Sequence, residues 1–71
     1  MNREKFGERL KELRVEAGLT HITLAAKIKA TKGSISFWEN GKNAPGSEHL
    51  SALAQLFNVP MDYLVGNIDE Y

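Results

Sequence analysis

The chain has no cysteine, only two prolines, one tryptophan and no net charge, its nine basic residues balancing nine acidic ones. Without thiols there is neither a disulfide framework nor a thiolate zinc site to brace a small fold, so packing of apolar side chains has to hold it together. No apolar run approaches the roughly 20 residues that cross a bilayer. The N-terminal stretch MNREK leads straight into a charged amphipathic segment unlike a secretory signal. A cytoplasmic location is the resulting expectation. The zero charge also argues against a nonspecific nucleic-acid coat protein, since such domains are strongly basic.

Seventy-one residues make one domain. A chain of this size buries about 60% of the surface its unfolded form exposes and retains roughly 3–5 kcal/mol of net stability, which leaves little room for a deep catalytic pocket. The inventory points the same way: His21 and His49 are far apart, and no glycine-rich phosphate loop follows a strand. No catalytic residue, metal site, cofactor, membrane contact or small-molecule substrate is expected, and the chain does not read as an enzyme.

Charge is unevenly distributed although it sums to zero. Between Ala17 and Ser47 the formal charges are Lys27, Lys29, Lys32 and Lys42 against Glu39, whereas from Glu48 onward only Glu48, Asp62, Asp69 and Glu70 occur. The domain is electrically polarised, although a run of scattered lysines is most often a solvated face.

There are no strand-period runs, and helical signals recur along the whole chain. Phe6, Leu10, Leu13 and Ala17 mark one face of a first helix, Arg3 to Ala17, which Gly18 ends in a left-handed cap. Thr20 is an N-cap for a second helix whose core-facing set is drawn from Ile22, Leu24, Ala25 and Ile28. Thr31 caps a third, with Ile35 and Trp38 inward and Gly41 closing it. Ser47 caps a fourth, carrying Leu50, Leu53, Ala54 and Phe57 and ending at Asn58. A short fifth runs from Pro60 to Val65, with Gly66 after it. The expected fold is all-α, five helices in one domain over residues 1–66, with 67–71 a frayed tail.

Two helices joined by a tight turn, the second opening with small and polar outward residues, form the arrangement that places a recognition helix in the DNA major groove. The stretches LKELRVEAGLT, LAAKI, SISFWENGKNAP and LSALAQLFNVPMDYLVG resemble the Xre/Cro-type helix-turn-helix domain, especially the DNA-binding domains of lambdoid phage repressors. The likeness runs from about Leu10 to Gly66 and includes Gly18, Ala25, Ile35, Trp38, Glu39, Asn40 and Gly41 at their expected places.

The resemblance implies that the third helix reads bases through Lys32, Gly33, Ser36 and Phe37. It implies backbone contacts from His21, Thr31, Asn40, Lys42 and Asn43, and a structural ion pair between Arg14 and Glu39. Chemistry is consistent with these roles: lysine donates to guanine O6 and N7, serine donates or accepts, and an apolar group contacts a thymine methyl. Phosphate contacts set register without reading sequence.

The sequence also departs from the family pattern. Lys29 and Ala30 stand where glycine and an aliphatic residue are common in the turn, and lysine in a left-handed conformation is strained. Gly33 weakens the start of the recognition helix by up to about 1 kcal/mol relative to alanine. His21 replaces the usual glutamine; on phosphate it would bind more tightly as pH falls, and otherwise it is an exposed residue without a ligand. Phe37 has three readings: contact with a thymine methyl, packing against a neighbouring helix, or a protein interface.

The expected function is a sequence-specific regulator, a repressor of a palindromic operator bound as a homodimer, with Met61, Val65 and Ile68 as candidate dimer contacts. The alternative is an antitoxin-like or adaptor protein of the same fold whose main partner is another protein.

Overall fold

The computed structural model describes residues 1–71 and contains five helices: α1 (Arg3–Glu16), α2 (His21–Ile28), α3 (Lys32–Glu39), α4 (Ser47–Phe57) and α5 (Met61–Leu64). The architecture is all-α, as the periodicity predicts. Phe6 and Leu10 of α1, Leu24, Ala25 and Ile28 of α2, Ile35 and Trp38 of α3, Leu53 of α4, Val59, and Leu64 of α5 form one buried core.

Polar caps divide the chain into these pieces. The Asn2 side chain accepts from the Lys5 amide to start α1. Thr20 and Thr23 form a reciprocal capping box at α2, and the Thr31 hydroxyl accepts from the Ser34 amide at 3.1 Å to start α3. Each satisfies amides that the first helical turn leaves unpaired. Gly18, Gly41 and Gly66 adopt positive φ after α1, α3 and α5, and Asn58 does so at the end of α4.

Lys29 ends α2 at φ 58°, ψ 43°, in the left-handed region anticipated for it. That conformation costs an L-residue about 1–2 kcal/mol. The turn nevertheless closes, because the Ala30 amide reaches the Ala25 carbonyl at 2.9 Å and Ala30 packs against the core. Lys29 to Thr31 then carry the chain from α2 into α3.

Four expectations need correction. Ile22 is exposed, because it lies about 200° around α2 from buried Leu24 at 100° per residue. Ala17 is the exposed C-cap of α1 and does not extend its apolar face. Ser47 is the first residue of α4, with extended Gly46 in the cap position and no side-chain cap bond. Pro60 likewise precedes α5 as its N-cap.

The tail, residues 67–71, makes contacts with α1 and α5. Arg9 donates to the carbonyls of Tyr63 and Ile68 and to the Asp69 carboxylate, and its guanidinium lies 4.2 Å over the Tyr63 ring. Lys5 also reaches Asp69, at 3.0 Å. Hydrogen bonds from Lys5 and then Arg9 hold the Asp69 carboxyl below its ordinary range. The edge of Tyr71 meets Tyr63 at a centroid distance of 4.9 Å.

Candidate nucleic-acid interface

Rotation of 100° per residue places Lys32, Ser36, Asn40, Gly33 and Phe37 on one arc of about 140° on α3, opposite Ile35 and Trp38. The burial follows this division: Ile35 is fully buried and Trp38 nearly so, whereas Lys32, Gly33, Phe37 and Asn40 are exposed and Ser36 is half-buried. Phe37 is 51% exposed, so its ring is open to solvent on the face of α3 opposite the core. A Cβ placed on Gly33 would meet only the Thr31 hydroxyl, at 4.0 Å, so the backbone there is open to approach.

The proposed contact residues fall into two groups. Lys32, Gly33 and Phe37 form the exposed group, and Lys42 from the following loop adds its ammonium 5.8 Å from the Phe37 ring centroid. This lies within the reach of a cation–π attraction and draws the loop cation towards the recognition helix. The second group surrounds a polar cavity of about 230 Å³ between α1, α2 and α3, lined by Lys11, Arg14, His21, Ser36, Glu39 and Asn40. Ser36 therefore sits nearer the backbone-contact residues than the resemblance implied.

Some polar groups already have partners. The Thr31 hydroxyl donates to Ser34 Oγ while it accepts the capping amide, and the Asn40 side-chain amide donates to the Ser36 carbonyl at 2.9 Å. Asn40 keeps its second side-chain N–H free to donate, whereas the Thr31 hydroxyl hydrogen is engaged by Ser34. Asn43 is exposed.

The Arg14–Glu39 pair forms as expected. Arg14 Nε donates to Glu39 Oε2 at 2.6 Å and Nη2 to Oε1 at 3.1 Å, while Nη1 caps the Leu19 carbonyl at 3.0 Å. The hydrogen bond to Glu39 raises the Arg14 pKa despite the opposing effect of burial. The pair fastens the end of α3 to α1.

Three features lay outside the sequence reading. Gly7 is buried where α1 crosses the end of α3, and a Cβ there would stand 2.6 Å from the Trp38 carbonyl oxygen and 2.7 Å from that of Glu39. An isolated glycine inside a helical pattern was the available signal. His49 of α4 packs on Trp38 at a centroid distance of 5.4 Å, with Nε2 3.4 Å from the carbonyl of strained Lys29. Lys11 joins the polar cavity; among alternating charges along α1, nothing local distinguishes it.

This geometry defines a helix-turn-helix domain, with α2 and α3 as the motif and the outward face of α3 left free. A helix-turn-helix family model (HTH_3) matches residues 10–64, and the chain belongs to that family. It is 36% identical over 61 residues to the HTH-type transcriptional activator BcrR of Enterococcus faecalis, covering 86% of this chain and 30% of BcrR. It is 38% identical over 61 residues to the HTH-type transcriptional regulator ImmR of Bacillus subtilis, covering 86% of this chain and 48% of ImmR. The chain thus spans half or less of the length of these two curated relatives.

Among solved structures, the P22 c2 repressor in complex with a synthetic operator superposes with a TM-score of 0.83 at 27% identity, over 89% of this chain and 96% of that one. The restriction-modification controller protein C.AhdI from Aeromonas hydrophila gives 0.78 at 29% identity, over 87% and 94%. The molecule is a helix-turn-helix domain that resembles the DNA-binding domains of the Xre/Cro and phage-repressor kind.

Proposed function

We propose that the domain controls transcription by binding an operator in double-stranded DNA, with α3 in the major groove. The observation that carries this reading is the exposed Lys32, Gly33 and Phe37 arc, backed by a buried Ile35–Trp38 face and clamped at its far end by Arg14 and Glu39. A rigid helix with one core face and one free face is suited to reading base edges. Lys32 reads guanine, Phe37 reads a thymine methyl, and Lys42, Asn43 and His21 hold phosphates.

A single module of this kind buries about 600–1,000 Å² on DNA, which favours binding as a pair on a palindrome with half-sites about 34 Å apart. Of the apolar residues suggested for that pairing, Met61 and Ile68 are exposed and Val65 is half-buried. The likeness to an operator-bound repressor supports repression by occupancy.

Replacing Phe37 tests the readout. In Phe37→Ala, discrimination of thymine at one position of each half-site falls by about 1 kcal/mol, roughly fivefold, with the other positions unchanged. Binding selections from random-sequence duplexes with both proteins measure this directly. An unchanged consensus would assign the reading to Lys32 and DNA shape.

A further inference from the structure

The cavity between α1, α2 and α3 contains a histidine in an unusual position. Glu39 accepts from Arg14 through both oxygens, and its Oε1 also meets His21 Nε2 at 3.1 Å. A carboxylate held this way only accepts, so Nε2 carries a hydrogen in either charge state of the ring. The neutral ring is thereby fixed in one tautomer, with a bare lone pair on Nδ1. That second nitrogen, directed away from Glu39, makes no hydrogen bond within the chain, and the side chain is 32% exposed.

A lone pair repels a phosphate oxygen, and a hydrogen on Nδ1 attracts one. We infer that a DNA backbone phosphate docking at this cavity is bound together with a proton on His21 Nδ1, so that operator binding is coupled to proton uptake. The inference rests on the DNA-binding function proposed above and adds its regulation by pH.

The surrounding charges explain why the proton arrives with the DNA. Lys11 and Arg14 face the ring from α1 and Glu39 faces it from α3, and Ser36 and Asn40 complete the lining without charge. No ionisable group of α4 or α5 lines the cavity. Two cations against one carboxylate leave the cavity net positive, which suits an incoming anion. An incoming phosphate reverses that balance and makes the imidazolium favourable. Glu39 is a positioning residue here: it aims Nδ1 outward and need not touch DNA.

The coupling has a fixed sign. Because the bound state holds more protons than the free state, affinity rises as pH falls. Affinity for a duplex recovered from a random-sequence selection should increase by about tenfold from pH 8 to pH 6 at constant salt, imidazole being the side chain that titrates in this range. His21→Gln keeps a donor for Glu39 but cannot become charged, and should bind with nearly flat pH dependence.

Calorimetry of the wild-type protein in two buffers of different ionisation enthalpy counts the proton independently of any variant. Net uptake near neutral pH that is absent in His21→Gln is the expected result. His49 lies against Trp38 outside the cavity, so His21→Gln leaves its surroundings unchanged. Binding that is tight but independent of pH, or pH dependence retained by His21→Gln, would overturn the coupling and leave the DNA-binding proposal intact. Failure to bind any duplex at either pH would overturn both.

Discussion

Arg14→Ala should lower the stability of the domain by about 3 kcal/mol, enough to leave much of the protein unfolded at physiological temperature. Glu39 is 6% exposed and Arg14 13%, so the carboxylate has little water to turn to when its bidentate partner is removed. Breaking a buried pair from one side costs about 3–5 kcal/mol, chiefly for the charge left behind. His21 remains within 3.1 Å of Glu39 and offsets part of that cost, which places the expectation at the lower end. Loss of the Nη1 bond to the Leu19 carbonyl also loosens the turn before α2. A domain of this size has only roughly 3–5 kcal/mol in total, so thermal unfolding followed by circular dichroism should show a large loss or no folded baseline at all. An unchanged midpoint would remove the pair from the forces that hold α3.

Gly7→Ala opposes two effects of known size. Alanine is favoured over glycine inside a helix by up to about 1 kcal/mol, so propensity alone predicts a more stable protein. The added methyl would lie 2.6 and 2.7 Å from two backbone carbonyl oxygens at the end of α3. Neither oxygen can swing aside as a flexible side chain could, so α1 and α3 must separate. Overpacking of this kind costs about 1–3 kcal/mol and occasionally more. Sterics should win, with a net loss of about 1–2 kcal/mol and a midpoint lowered by roughly 4–16 °C. A rise in the midpoint would show that the helices yield at little cost.

Local signals made most of the fold legible. Thr20 and Thr31 announced caps, Gly18, Gly41 and Asn58 announced left-handed ends, and the spacing of Phe6, Leu10, Ile35, Trp38 and Leu53 announced buried faces. Ile22 misled because hydrophobicity is not direction: an apolar residue two places from the core-facing Leu24 lies on the far side of a helix. Ser47 misled because glycine serves as an N-cap without a side-chain bond.

The site was legible in part. The resemblance supplied the Arg14–Glu39 pair, and helical rotation predicted the outward direction of Phe37. The sharing of Glu39 with His21 joins residues 18 apart, and the Arg9 tether joins residues 54 to 60 apart. Such contacts depend on how helices cross, which periodicity does not encode. Phe37 emerges with the Lys42 ammonium near its ring, so the outward face of α3 carries charge beside its apolar group.

The most direct measurement of the central claim is the affinity of the protein for a duplex selected from random sequence, followed against salt at constant pH. Each neutralised phosphate contributes about −0.9 to the slope of log K against log salt. With Lys32 and Lys42 the exposed cations beside α3, and Lys11 and His21 at the cavity, a slope of about −2 to −4 per protomer is predicted, together with a defined consensus. Recovery of no preferred duplex, or an affinity unaffected by salt, would contradict it.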